Sequence, residues 1–202
     1  MEYRIKYDSN PIIPEFGRPY VLKENGQYWL YATNVAAPNS FNLYIGNNET
    51  NLQPYAGNPV LIKGSSGQWD SYYLGNLAVW KEGSNWYMIY EAMDPAALWK
   101  LGLASSSDGK SWTKYSGNPV LDRSPACAGG PWIQKIGNTY YMWFHGSPVS
   151  GNLPTNIYKC QSTDLHSWTD EKLVLNRTMS FEGSQVSDPT LLSIIYQYTI
   201  PP

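Results

Sequence analysis

The hydrophobic positions come in short runs closed by turn residues, and the runs recur in a fixed frame. In the most regular stretch, Leu77–Lys81 reads as an apolar strand, the turn Glu82–Asn85 leads into Trp86–Tyr90, and Leu101–Ser105 gives a third strand. The segment SSDGKSW (Ser106–Trp112) then turns into a fourth strand ending at Tyr115. Asp-Gly and similar turns are what adjacent antiparallel strands need. Pro131–Lys135, Tyr140–Phe144 and Asn156–Gln161 keep the frame, with STDLHSW (Ser162–Trp168) matching SSDGKSW in Ser, Asp, Ser and Trp. Pro19–Lys23, Tyr28–Ala32 and Asn42–Gly46 supply an earlier copy without the Asp–Trp turn. Arg4–Tyr7 aligns with Trp112–Tyr115 as a lone outer strand, while Lys172–Asn176, Phe181–Glu182 and Ser187–Leu192 copy the approach and first strand of a further repeat.

A heptapeptide punctuates these copies. Tyr55–Leu61 (YAGNPVL) and Tyr115–Leu121 (YSGNPVL) differ only at Ala56 and Ser116, and Tyr7–Ile13 (YDSNPII) is a looser version. Four strands per repeat of this length predict propeller blades. The expected fold is all-β, with four-stranded antiparallel blades near 15–57, 75–117 and 129–174, first strands innermost, and almost no helix. Residues 1–202 are expected to form one β-propeller domain of about three full blades plus the start of a fourth. A closed ring needs at least four, so the domain is expected to be incomplete, either part of a longer protein or the product of a gene truncated by a shifted frame. The turn aspartates Asp108 and Asp164 are predicted to cap backbone N–H groups, and Trp112 and Trp168 to plug the space between sheets.

Composition agrees with strands and tight turns: 17 Tyr, 9 Trp, 17 Gly and 15 Pro in 202 residues. A net charge of −2 points to neither nucleic acid nor an acidic membrane as partner. Cys127 and Cys160, far apart in sequence, make no metal motif and read as two reduced thiols. MEYRIKYDSN has no apolar run and does not read as a signal peptide. The chain assigns itself no localisation: cytoplasmic, or secreted with a leader outside this sequence. No phosphate loop, zinc spacing or nucleophile elbow occurs, so neither cofactor nor metal is predicted.

The succession Asn-Pro-Val-Leu, Trp-Asp, Trp-Tyr-Met-x-Tyr, Leu-Gly-Leu-Ala-x-Ser and Asp-Gly-x-x-Trp resembles the five-bladed β-propeller glycosidases over nearly all of residues 5–192. That superfamily includes arabinanases, arabinofuranosidases and β-xylosidases of glycoside hydrolase family 43, with fructosidases and mannoside phosphorylases as relatives. The resemblance implies an active site in a funnel on the ring axis, where carboxylates stand at the entrances of innermost strands as Asp-Pro or Glu-Gly-Pro. Asp188-Pro189 matches the first form. Arg18, Asn76 and Gly130 hold the equivalent places in the other repeats, so the family's three carboxylates are not all at their usual positions. Glycine stands where Glu-Gly-Pro would carry the general acid.

Asp188 is therefore the leading catalytic candidate, as a base or as a modulator of another acid, against a turn-capping role. Glu91 and His145 close the second strands after Tyr90 and Phe144, with Thr33 in the corresponding place. A charged residue ending an apolar strand needs a partner or water. Glu91 is a candidate general acid, and His145 a hydroxyl-binding or tuning partner; solvated strand ends are the plain alternative. Arg18 and Asn76 are candidate substrate-binding residues, and Trp99, in the ALWK loop, a sugar-stacking one. Trp80, Trp132 and Trp143 are expected mainly to pack between blades. Asp70 and Glu182 repeat with their aromatic neighbours and read as structural. The expected function is hydrolysis of arabinose- or xylose-containing glycans by an inverting pair of carboxylates, with a non-catalytic carbohydrate-binding propeller as the alternative.

Overall fold

The computed structural model describes residue 13, residues 16–177 and residues 185–190. Each repeat forms one antiparallel sheet. The first contains β1 (Phe16–Glu24), β2 (Gln27–Asn34), β3 (Ser40–Gly46) and β4 (Gln53–Pro54), with β5 (Leu61–Ile62) also pairing β3. The second runs β6 (Tyr73–Glu82), β7 (Asn85–Met93), β8 (Trp99–Ser106) and β9 (Thr113–Lys114). The third runs β10 (Ala128–Ile136), β11 (Thr139–Gly146), β12 (Asn156–Ser162) and β13 (Thr169–Leu175). The described residues contain no helix. First strands of successive sheets adjoin, β1 against β6 and β6 against β10, which makes them the innermost strands of three propeller blades.

Two hydrophobic layers hold the blades face to face. Between the first two lie Trp29, Tyr31, Phe41 and Leu43 against Val79, Trp86, Met88 and Tyr90, with Trp29 stacked on Trp86 at 5.3 Å. Between the second and third lie Ile89, Leu101 and Leu103 against Tyr140, Met142 and Phe144. Strand β7 feeds alternate residues into both layers, which is why Trp86–Tyr90 is apolar throughout rather than alternating. Each of these fully buried side chains contributes about 1.5–3 kcal/mol.

The repeated heptapeptide has a definite task. Asn58 Nδ2 donates to Leu43 O at 2.8 Å while Leu43 N donates to Asn58 Oδ1 at 2.8 Å. Asn118 makes the same pair of bonds with Leu103, at 2.9 and 2.8 Å. Each asparagine side chain thus imitates one residue of a β-ladder and ties the chain leaving a blade to that blade's third strand. The glycine beside it is fixed by space, because a β-carbon on Gly117 would lie 2.6 Å from the Tyr115 ring. The Asp turns are equally regular. Asp108 Oδ1 accepts from Lys110 N and Ser111 N, and Asp164 Oδ1 from His166 N and Ser167 N. Those backbone donors hold both carboxyls below the usual carboxylate range. Trp112 then meets Tyr31 of the first blade edge-on at 6.2 Å, and Tyr31 OH donates to Gly109 O at 2.6 Å, so the turn locks neighbouring blades.

The strands differ from expectation mainly at their inner ends. First strands begin two to four residues before Pro19, Leu77 and Pro131 and run through a bulge at those points. Leu77 still pairs with Tyr90, whereas Pro19 and Pro131 lack the N–H and drop out of the ladder. Residues 187–190, expected to open a further first strand, form none; Val186 N instead donates to Thr155 O at 3.2 Å. Arg4–Tyr7 and Phe181–Glu182 lie outside the described residues.

Replacing Asn118 by alanine leaves the buried Leu103 N–H without an acceptor. It is expected to cost about 1–3 kcal/mol in urea unfolding, and Asn58→Ala is expected to behave alike. Variants as stable as the parent would show that the asparagine ladder is dispensable.

Candidate functional site

The bulges bring the chemistry together. Each first strand carries a glycine before the bulge, Gly17, Gly75 or Gly129, and then Arg18, Asn76 or Gly130. Arg18, Gly130 and Asp188 share left-handed φ values of 52°, 55° and 53°. For Arg18 and Asp188 this is a conformation that costs energy and needs support from surrounding contacts. From the other side, the ends of β2 and β7 reach the bulge of the next blade, and the end of β11 reaches Asp188. Thr33 Oγ1 donates to Gly75 O at 2.8 Å, Gly130 N donates to Glu91 Oε2 at 3.1 Å, and His145 Nδ1 lies 3.7 Å from Asp188 Oδ1.

Arg18, Asn76, Glu91, Trp99, His145 and Asp188 all line one cavity of about 280 Å³. The Arg18 guanidinium lies over the Trp99 ring, its carbon 6.0 Å from the indole centroid. Trp99 is not a loop residue: it opens β8, and Asn152 ties it down by accepting from Trp99 N at 3.4 Å and donating to Ala97 O at 2.7 Å. A second cavity of about 340 Å³, lined by Gly130, Pro131 and Trp132 among others, shares Asn76 and Asp188 with the first. Trp80 stacks on Tyr87 and Trp143 meets Trp132 edge-on, as packing residues do. Asp70 is buried with Lys114 and Tyr90 as partners, which is structural.

The two carboxylates differ sharply. Glu91 is buried and its Oε2 accepts three N–H bonds, from Asn76 N at 3.0 Å, Asn76 Nδ2 at 2.8 Å and Gly130 N at 3.1 Å. Asp188 has a side chain 61% exposed, with Oδ1 accepting from Asn76 Nδ2 at 3.0 Å and Oδ2 from Ser187 Oγ at 3.1 Å. Asn76, expected to bind substrate, has both amide hydrogens committed to these two carboxylates. Its nitrogen fills the space between them. An inverting pair needs roughly 6.5–9.5 Å for an intervening water. Two oxygens that bond one nitrogen at 2.8 and 3.0 Å lie closer than that. The Asn76 amide thus bridges the nearest oxygens of Glu91 and Asp188.

Glycine at 129 and 130, read from sequence as a lost acid, is required by neighbours. A β-carbon on Gly129 would lie 2.5 Å from His145 Nε2 and 2.6 Å from Glu91 Oε1; one on Gly130 would lie 2.6 Å from Asp188 Oδ1. The wall also includes Cys127, Asn152 and Thr155, none of which the sequence reading placed at the site. The aligned glycines at 17, 75 and 129 were the one available signal for the bulges.

No family model matches the chain. Over 134 residues it is 28% identical to a β-1,2-mannobiose phosphorylase of Thermoanaerobacter sp. (strain X514), covering 58% of this chain and 44% of that one. The crystal structure of a thermostable family-43 glycoside hydrolase aligns with a TM-score of 0.71 at 24% identity, covering 86% of this chain and 58% of the other. The chain has the propeller fold of the glycoside hydrolases. An α-L-arabinofuranosidase from Lactobacillus brevis shares this glycosidase propeller at a TM-score of 0.69 and 16% identity, covering 86% of this chain and 57% of that one. The chain spans about half the length of the curated relatives it matches. In this propeller the named cavity lies where the innermost strands begin.

Gly129→Ala sets a methyl against both His145 and Glu91. It is expected to lower stability by about 1–3 kcal/mol, read by thermal or urea unfolding. Unchanged stability would mean that the bulge yields and does not constrain the site.

Proposed function

We propose that the cavity binds a carbohydrate and that the intact protein cleaves a glycosidic bond there, with Asp188 transferring the proton. The carrying observation is the chain Glu91–Asn76–Asp188, which sets one exposed carboxylate on a fixed, buried anchor beneath Arg18 and Trp99. Trp99 offers a ring face to a sugar and Arg18 a fork of donors to its hydroxyls. His145 supplies a second polar wall. Arabinose- and xylose-containing glycans are the first candidates, after the arabinofuranosidase and family-43 structures that share the fold.

A second reading, phosphorolysis, is favoured by the same geometry. The Asn76 amide stands between the two carboxylates, and Arg18 and His145 flank the cavity with positive or hydrogen-bonding groups. A phosphate oxygen attacking the anomeric carbon needs no carboxylate base, only Asp188 to protonate the leaving oxygen as the C–O bond breaks. The 28% identical relative is a phosphorylase.

The test is turnover of aryl arabinofuranosides, xylosides and mannosides by the intact protein, with and without inorganic phosphate. Asp188→Asn is expected to lose about 10²-fold or more in kcat, the scale of a general acid or base. Release of sugar 1-phosphate only when phosphate is present would select phosphorolysis. Sugar binding without turnover would hand the site to a non-catalytic binding propeller.

A further inference from the structure

We propose that Asn76 is a positioning residue that decides which oxygen of Asp188 carries the proton; this rests on Asp188 being the proton-transferring carboxylate. The Asn76 carboxamide nitrogen has two hydrogens, and both are engaged, one by Glu91 Oε2 at 2.8 Å and one by Asp188 Oδ1 at 3.0 Å. Turned over, the amide would press its carbonyl oxygen against two carboxylates, so only this orientation is favourable. A nitrogen that donates cannot accept a proton, and an oxygen held by that donor is the poorer site for one. Among the described residues Asp188 Oδ2 meets only the Ser187 hydroxyl, at 3.1 Å, which can turn to accept from a protonated Oδ2 as the carboxamide N–H cannot, so Oδ2 is left as the oxygen that is protonated.

Glu91 makes this choice rigid. It also accepts from the Asn76 backbone N–H at 3.0 Å and from Gly130 N at 3.1 Å, so the carboxamide is gripped at both ends. Among the described residues, the other titratable or charged groups facing Asp188 are His145, whose Nδ1 is 3.7 Å from Oδ1, and Arg18, which lines the same cavity. In bond cleavage an oxygen of phosphate, or of water that gives up a proton to solvent, forms the new bond to the anomeric carbon, while Oδ2–H gives its proton to the leaving oxygen, which keeps the electron pair of the broken C–O bond. Asp188 is left as a carboxylate, with Oδ1 still bonded to Asn76. An aspartate at position 76 fits the same space but replaces the donor with a third negative charge. That difference explains why a carboxamide suits this first-strand position.

The experiment follows the Asp188 carboxyl carbon and the Asn76 side-chain amide protons by NMR across the acid range, in the full chain and in Asn76→Asp and Asn76→Ala. In the parent, both amide protons are expected to shift with the same midpoint as the Asp188 carboxyl. In Asn76→Asp that midpoint is expected to rise by about one pH unit or more through like-charge repulsion, and in Asn76→Ala by less. In the intact protein kcat is expected to fall about 10²-fold for Asn76→Asp with KM little changed. Amide protons indifferent to the Asp188 titration in the parent, or midpoints unmoved in both variants, would overturn the proposal. Coupled titration in a protein that cleaves no sugar would support the positioning role and defeat only the cleavage reading.

Discussion

The molecule depends on a contact repeated around its axis, in which the end of one blade's second strand meets the first-strand bulge of the next. Thr33 to Gly75 and Glu91 to Gly130 are two versions of it, and His145 to Asp188 is the corresponding contact where residues 187–190 form no strand, each made by different chemistry. The first is a neutral hydrogen bond, the second a buried carboxylate capped by backbone, and the third an imidazole beside an exposed carboxylate. A buried charge such as Glu91 is tolerable only when its lone pairs are met, and the bulge supplies the N–H groups that meet them. One device thus spaces the blades and places polar groups at the channel mouth.

The fold was legible because its devices are short and local. YAGNPVL and YSGNPVL announced the blade junctions, and the structure gives their asparagines one task, bonding Leu43 and Leu103. SSDGKSW and STDLHSW were readable as capped turns for the same reason: the donors lie two and three residues from the aspartate. The inner ends of the first strands were less readable. A bulge is set by which partner N–H is missing across the ladder, and Pro19 and Pro131 report that only once the register is known.

The site was legible in membership and much less so in roles. Arg18, Asn76, Glu91, His145 and Asp188 could be gathered because strand starts and antiparallel strand ends share one edge of a blade. Nothing in the sequence could show that the Asn76 amide sits between two carboxylates, or that Gly129 is bare because His145 and Glu91 fill its space. Those are contacts across repeats, and spacing along the chain does not encode them. Nor does the sequence show that the left-handed backbone at Gly130 is itself a donor to Glu91.

The central claim is that the cavity over Glu91–Asn76–Asp188 is the carbohydrate site. It is tested most directly by titrating arabino-, xylo- and manno-oligosaccharides into the ¹⁵N-labelled chain and following three reporters. The Asn76 carboxamide, the Gly130 amide and the Trp99 indole N–H are expected to move together and saturate with one affinity. Reporters that stay still while resonances around Trp69 and Tyr115, in the separate hollow beside Asp70, respond to the sugar would contradict it.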